Sequence, residues 1–392
     1  MTRLAIPAWM CAAVAIVIAA VVELRATVAA GELLLNEKEV AKIIRHGPWP
    51  PPVTPDLSNR VSGSKAAIAF GRVLFFDGRL SLNGKVSCSS CHDPKLGWAD
   101  AKPRAGGLAR LDRNTQSLFN VRYNRWFGWD GRTDSLWAHS IGPILAKTEM
   151  GMTAAAVANL VRRDQTLAGQ YRASFSRAPG GVADEAVLVD VAKALAAFQE
   201  TIVSGRTVFD EFRDALARQD MAAARRYPVA AQRGARIFVG RGNCSICHVG
   251  PHFTNGEFDD AGVPYFTAPG RVDRGRHGGI TTLKASPFNL LGRYNDAPEK
   301  VDGWATRQVV QTHRTFGQFK VPSLRQLTLT APYMHNGSIA DLEGVVRHYS
   351  DINLDRIHSD GAQILSPLRL SKRETKDLVA FLRTLSLPSS AR

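Results

Sequence analysis

The chain has 392 residues, 45% of them hydrophobic and 22% charged, with a formal net charge of +15 at pH 7. This composition excludes a disordered or fibrous chain, and the length suits two domains of ordinary size. The positive balance fits an acidic protein partner, an anionic membrane surface or simply a basic soluble protein, and no basic stripe with interleaved aromatics suggests nucleic acid.

At the N-terminus, Arg3 precedes an apolar run from Leu4 to Val22, and the small residues Val28 and Ala30 suit cleavage of a signal peptide, residues 1–30. The run is also about long enough to span a bilayer as an uncleaved anchor. Either way the rest of the chain is expected outside the cytoplasm, in the periplasm. It would meet a membrane only if the segment stays attached.

Next, "SKAAIAFGRVLFFDGRLS" reads as a short amphipathic helix feeding a loop that carries "CSSCH", residues 88–92. Val187, Val191, Leu195, Phe198 and Ile202 fall at helical spacing and predict a helix over Asp184 to Ser204. A boundary between Asp210 and Pro228 divides an N-terminal unit, 31–215, from a C-terminal unit, 216–392. "PVAAQRGARIFVGRGN" then repeats the earlier flank ahead of "CSICH", residues 244–248. From His252 to Gln318 the chain is rich in Gly, Pro and Arg with little periodicity, which predicts long loops wrapping a second cofactor. A last helix opens on a Ser371/Glu374 capping box, and Leu378, Phe381, Leu382 and Leu385 form its core stripe.

Four of the five cysteines sit in the doubled motif; the fifth, Cys11, lies in the leader. An exported chain could pair four cysteines as two disulfides. However, Cys-x-x-Cys followed by His is the attachment signature of c-type haem: two thiols bond the vinyl groups, and the next residue offers an axial imidazole. A thioredoxin-like motif needs no such histidine, and a zinc site built from both pairs leaves both histidines unexplained. Two covalent haems are therefore expected, on Cys88, Cys91 and His92, and on Cys244, Cys247 and His248. The fold class is mainly α, as two cytochrome-c-like haem domains with long irregular loops.

The stretches "RLSLNGKVSCSSCHDP", "RNTQSLFNV", "WDGRTDSLWAHSIGPILAKTEMG", "CSICH", "FKVPSLRQLTLTAPYMHNGS" and "LEGVVRHYS" are similar to the bacterial dihaem cytochrome c peroxidase superfamily over essentially the whole mature length. Many relatives cap the resting first haem with a histidine in the loop matched here by "RAGGLARLDRN", where Leu108 stands near the expected place. Leucine cannot ligate iron, so the resemblance implies an open iron above His92. It makes Glu149 the acid–base group for peroxide, with His139 as a hydrogen-bond donor or a competing sixth ligand, and Pro143 in the distal wall. At the second haem, relatives supply methionine, and Tyr349 matches that position, as in the MauG-like branch; adjacent His348 is the rival. An anionic phenolate would lower the iron's potential where a thioether would raise it. Trp129 matches a tryptophan between the haems that shortens hole hopping. Asn114, Thr330 and Pro332 match a calcium site of oxygen ligands. Met334 is expected to pack, and His335 to contact haem propionates.

The leading expectation is an exported dihaem enzyme that takes hydrogen peroxide as oxidant and, MauG-like, oxidises a protein or other donor through a high-valent dihaem state. The branch-defining member completes a tryptophan-derived cofactor in its substrate protein, passing holes through a surface tryptophan where this chain has Gly242. A second reading is a cytochrome c peroxidase drawing electrons from a small cytochrome or cupredoxin. A third is a non-catalytic dihaem electron carrier.

Overall fold

Residues 33–264, 266–354 and 364–387 are described by the computed structural model; the leader-like segment, its cleavage site and Cys11 lie outside them. The described chain is mainly α-helical. Its helices of eight or more residues are α1 (Glu37–Ile44), α2 (Lys65–Phe76), α3 (Leu136–Leu145), α4 (Ala154–Arg163), α5 (Gln165–Phe175), α6 (Asp184–Gln199), α7 (Val208–Ala217), α8 (Val229–Val239), α9 (Arg276–Ala285), α10 (Leu342–Ser350) and α11 (Lys372–Arg383). Strand is confined, among the described residues, to two short antiparallel pairs, Phe258–Asp259 with Phe319–Lys320 and Phe266–Ala268 with Arg271–Val272.

Two hydrophobic cores organise these helices. The first gathers residues between Val61 and Ile202. Its axis is α6, buried from Val187 to Gln199 on every side, as a helix enclosed by others must be. Helix α2, capped by Ser64 accepting from the Ala67 N–H, packs Phe70, Leu74 and Phe75 inward. The two helices approach so closely at Gly71 that an added Cβ would lie 1.9 Å from the Ala194 carbonyl oxygen. The second core repeats the construction. Here α8 crosses α11 at Gly234, where an added Cβ would lie 2.0 Å from the Asp377 carbonyl oxygen. The similarity of the two motif-flanking segments thus has a packing basis: each leads into its motif from a helix notched by glycine.

The second core also draws in Leu35 and Ile43, together with Phe209 and Phe212 of α7. The start of the described chain therefore packs against its C-terminal half. The capping box expected at Ser371 and Glu374 is present, and Leu378, Phe381, Leu382 and Leu385 are buried. Helix α6 stops at Gln199, short of the expected Ser204. Asn120 Oδ1 accepts from the Ser204 N–H at 2.8 Å and Trp49 Nε1 donates to the Ser204 carbonyl at 2.9 Å, which pulls the chain out of helical path.

The segment from His252 to Gln318 departs from expectation in two ways. It contains α9, hidden in the sequence by paired glycines and β-branched threonines of low helix propensity. It also clamps the first half of the molecule. Leu290 N–H and Thr306 Oγ1 both donate to Asp134, while Arg60 and Lys193 pair with Asp296.

Candidate active site

Each Cys-x-x-Cys-His motif is wound into a single turn. Cys88–Ser90 forms a 3-10 turn and the His92 N–H donates to the Cys88 carbonyl at 2.9 Å; in the second motif the His248 N–H donates to the Cys244 carbonyl at 2.9 Å. Both imidazoles are then fixed by a backbone carbonyl, His92 Nδ1 at 3.1 Å from Trp98 O and His248 Nδ1 at 3.0 Å from Phe253 O. A carbonyl can only accept, so Nδ1 carries the proton and Nε2 keeps its lone pair for a metal. Burial lowers both imidazoles, His248 to about 4, which favours the neutral ligand form. All four thiols are unpaired. Burial pushes Cys88 and Cys244 up to about 12 and Cys247 to about 11. Among the described residues, no three His, Cys, Asp or Glu side chains converge on a single metal position.

One cavity of about 980 Å³ runs past both motifs and is lined by all four cysteines, His92 and His248. Two thiols and one Nε2 lone pair facing each end of a largely apolar cavity suit two attached porphyrins.

Above the first motif, α3 begins at a Ser135 cap and carries His139 and Pro143; the chain then turns, with the Glu149 N–H on the Ala146 carbonyl, to place Glu149 at the cavity. Burial pushes the Glu149 carboxyl up, and the Arg132 charge pulls it partly back. His139 Nδ1 lies 3.0 Å from Thr133 Oγ1, and its ring stacks on Phe127. Burial, with the Arg132 and Lys320 charges, holds His139 down at about 3, a neutral imidazole. The loop that carries a ligand in relatives is pinned beside them: Leu108 N–H donates to Glu149 O and Ala109 N–H to Thr148 O. Leu108 itself packs towards Gly151 and does not line the cavity.

Around the second motif, Tyr349 of α10 lines the cavity. Burial, then the Cys244 and Cys247 thiols and Asp259, push its phenol up, so it sits beside the second pair of cysteines. His348 does not line the cavity, and its Nε2 is 2.7 Å from the Ala261 carbonyl.

Trp129 lines the cavity and donates from Nε1 to the Asn114 carbonyl at 2.9 Å. Asn114 also donates from its backbone N–H to His335 O and from Nδ2 to Lys102 O. Asn114, Thr330 and Pro332 all line the cavity. Met334 lines the cavity, and His335, 4% exposed, stacks on Phe319 with centroids 3.5 Å apart.

Several residues here carried no sequence signal of their own. Burial would raise Asp130, but Arg132 and Arg113 grip it and hold its carboxyl far below the usual range. Arg276 donates to the Gly131 carbonyl and lies over Trp126, 4.4 Å from its centroid. Lys320 is buried against Trp126, and burial pushes its ammonium down to about 8. A lysine set between Phe319 and Val321 was the one available clue. His252 is also buried, its Nε2 has no partner, and burial with the Arg325 and Lys320 charges holds it at about 3.

The family profile described as di-haem cytochrome c peroxidase matches residues 65–218. A methylamine utilization protein MauG of Methylorubrum extorquens is 37% identical over 327 residues, covering 83% of this chain and 79% of that protein. A cytochrome-c peroxidase of Denitromonas iodatirespirans is 33% identical over 363 residues, covering 88% of each. Among solved structures, a MauG-like protein associated with microbial copper homeostasis superposes with a TM-score of 0.65 at 24% identity, over 88% of this chain and 96% of that one. The diheme peroxidase BthA from Burkholderia thailandensis gives 0.65 at 22%, over 83% and 86%. At those identities the structures speak for the fold.

Proposed function

The chain belongs to the di-haem cytochrome c peroxidase and MauG family of dihaem oxidoreductases, and from that premise we propose an exported enzyme that spends hydrogen peroxide on MauG-like oxidation of an outside donor. When bound, covalently through the two cysteine pairs, the haems would supply the redox chemistry with peroxide and hold its oxidising equivalents. The chain's own residues divide the rest of the work. Glu149 takes a proton from one peroxide oxygen and returns it to the other; its raised pKa suits a group that must hold the proton in between. His139, neutral and braced by Thr133, orients the bound peroxide by a hydrogen bond. Leu108, turned from the cavity, leaves that face clear. The Trp129 indole, which lines the same cavity, would carry holes between the two haems. Asn114, Thr330 and Pro332 would hold a calcium ion through oxygen atoms.

The observation that carries this reading is the Tyr349 phenol at the second motif, with His348 engaged by Ala261. An anionic oxygen ligand there would disfavour electron uptake from a small cytochrome and favour storage of oxidising equivalents. The test is spectroscopic. Resting ferric protein should show one high-spin and one low-spin haem, and one equivalent of peroxide should change both together. Two low-spin haems at rest would refute the proposal.

A second reading, peroxide reduction with electrons from a small cytochrome or cupredoxin, is favoured by one observation. At Gly242, where the branch-defining member has its surface tryptophan, an added Cβ would lie 2.7 Å from the Ile237 carbonyl and 3.3 Å from Cys244 Sγ. A tryptophan there would force the Ile237 backbone to move. Steady-state turnover with a reduced small cytochrome decides between the two. The charge of +15 suits an acidic partner in either case. No helix of the described residues is long and apolar enough to cross a membrane. Periplasmic location rests on the leader.

A further inference from the structure

Lys320 is 7% exposed, yet among the described residues no carboxylate pairs with it. Its backbone is pinned, with the N–H donating to Trp129 O at 2.7 Å and the residue paired with Phe258 across the short strands. Among the described residues its side chain makes one hydrogen bond, from Nζ to the Trp126 carbonyl at 3.3 Å. An ammonium has three donors. Among the described residues no carboxylate lies within ion-pair distance of Nζ. Asp130 is taken by Arg113 and Arg132, and Asp273 by Arg113. The Trp126 ring already carries a cation, Arg276, 4.4 Å from its centroid.

His252 adds a second unmet donor or acceptor at the same cavity. It is 8% exposed, stacked on Trp49 and edge-on to Tyr123, and its Nε2 has no hydrogen-bond partner. Its imidazole feels the Lys320 charge directly, as does that of His139. Lys320 and His252 both line the cavity that runs past the two motifs. A buried, unpaired cation is strongly disfavoured unless an anion joins it. That anion must come from what fills the cavity, and the acidic groups of a haem are its propionates.

We propose that Lys320 and His252 form a seat for a haem propionate at the junction of the two halves of the molecule. The proposal rests on the reading of the cavity as a two-haem site. The carboxylate could come from the ring on His92 or from the ring on His248, since Lys320 acts on His139 at one end and His252 at the other.

The experiment uses the full-length holoprotein and three readouts: haem content per chain, the propionate bending band of each haem in resonance Raman spectra, and the midpoint potential of each haem. Lys320→Met should keep two haems, move one propionate band to lower frequency and lower that haem's potential, because a nearby positive charge no longer opposes the ferric form. A shift in the high-spin haem assigns the propionate to the His92 ring; a shift in the low-spin haem assigns it to the His248 ring. His252→Phe keeps the stack on Trp49 and should displace the same band. Unchanged bands and potentials in Lys320→Met with both haems bound overturn the proposal. If that variant fails to fold, unchanged bands in His252→Phe overturn it equally. Fewer than two haems in the wild-type chain would instead overturn the premise, which the haem assay reports separately.

Discussion

His348 and Tyr349 are neighbours on one helix, with ring centroids 5.2 Å apart and planes 78° apart, and they serve different partners. His348 Nε2 lies 2.7 Å from the Ala261 carbonyl, whereas Tyr349 faces the cavity at Cys244 and Cys247. Successive helical side chains diverge by about 100°, so one helix register cannot bring both to the same metal. Without a cation, burial keeps the phenol protonated; a bound ferric iron would reverse that balance. Tyr349→Phe is expected to abolish any tyrosinate charge-transfer absorption of the second haem, and Tyr349→Met to raise its midpoint potential. His348→Phe should leave both unchanged. Spectra and potentiometric titration of the three variants check the assignment, and a spectral change confined to His348→Phe would reverse it.

Glu149 gives a prediction with a sign in pH. If it must be ionised to take the peroxide proton, the rate constant for reaction with peroxide falls as pH drops through its pKa. Burial raises that pKa, so the fall sets in at higher pH than an exposed glutamate would give. Glu149→Gln should slow the reaction about 10²–10⁴-fold and flatten the acidic limb. Both haems should stay bound. Stopped-flow measurements across pH, on wild type and variant, read both effects.

Much of this arrangement was legible in the sequence, and for a physical reason. Covalent haem attachment would demand two thiols and an imidazole within five residues, so the motifs at 88–92 and 244–248 stand out in the sequence. The α11 cap and stripe follow from strictly local geometry. Other features escaped because they arise only on folding. Helix α9 carries two adjacent glycines and forms where Arg276 can reach the Gly131 carbonyl. Asp130 carries no local signal of its role, which comes from Arg113 and Arg132 closing on it. The burial of Lys320 depends on strand pairing with Phe258, a contact between segments far apart in the chain.

The glycine crossings make a stability prediction with an internal control. Gly71→Ala would push a Cβ to 1.9 Å from the Ala194 carbonyl, and Gly234→Ala to 2.0 Å from the Asp377 carbonyl. Backbone cannot swing away as a side-chain tip can, so the helices must separate. Overpacking of this kind costs about 1–3 kcal/mol or more, and each variant should melt earlier than wild type. Gly169 lies inside α5, with nothing within 4 Å of an added Cβ. Gly169→Ala should therefore be neutral or stabilise by up to ~1 kcal/mol through helix propensity. Equal melting of all three variants would refute the close-crossing account.

Arg325 and Asp210 form a pair in which both side chains are buried, 0% and 1% exposed. The guanidinium also donates to the Pro251 carbonyl and lies 3.7 Å from the Trp49 ring centroid, while Asp210 closes the capping box of α7 through the Thr207 N–H. One pair thus ties four separated segments together. The desolvation cost of such a pair can match its attraction, so its value shows when it is half removed. Asp210→Asn leaves a buried guanidinium without a counter-charge and should destabilise by about 3–5 kcal/mol, seen as a lower denaturation midpoint. Replacing both residues by leucine removes the stranded charge as well, so the double variant should lose less than the sum of the single losses. Additive losses would mean that the two side chains act independently and that the burial of this pair does not govern how the segments are held.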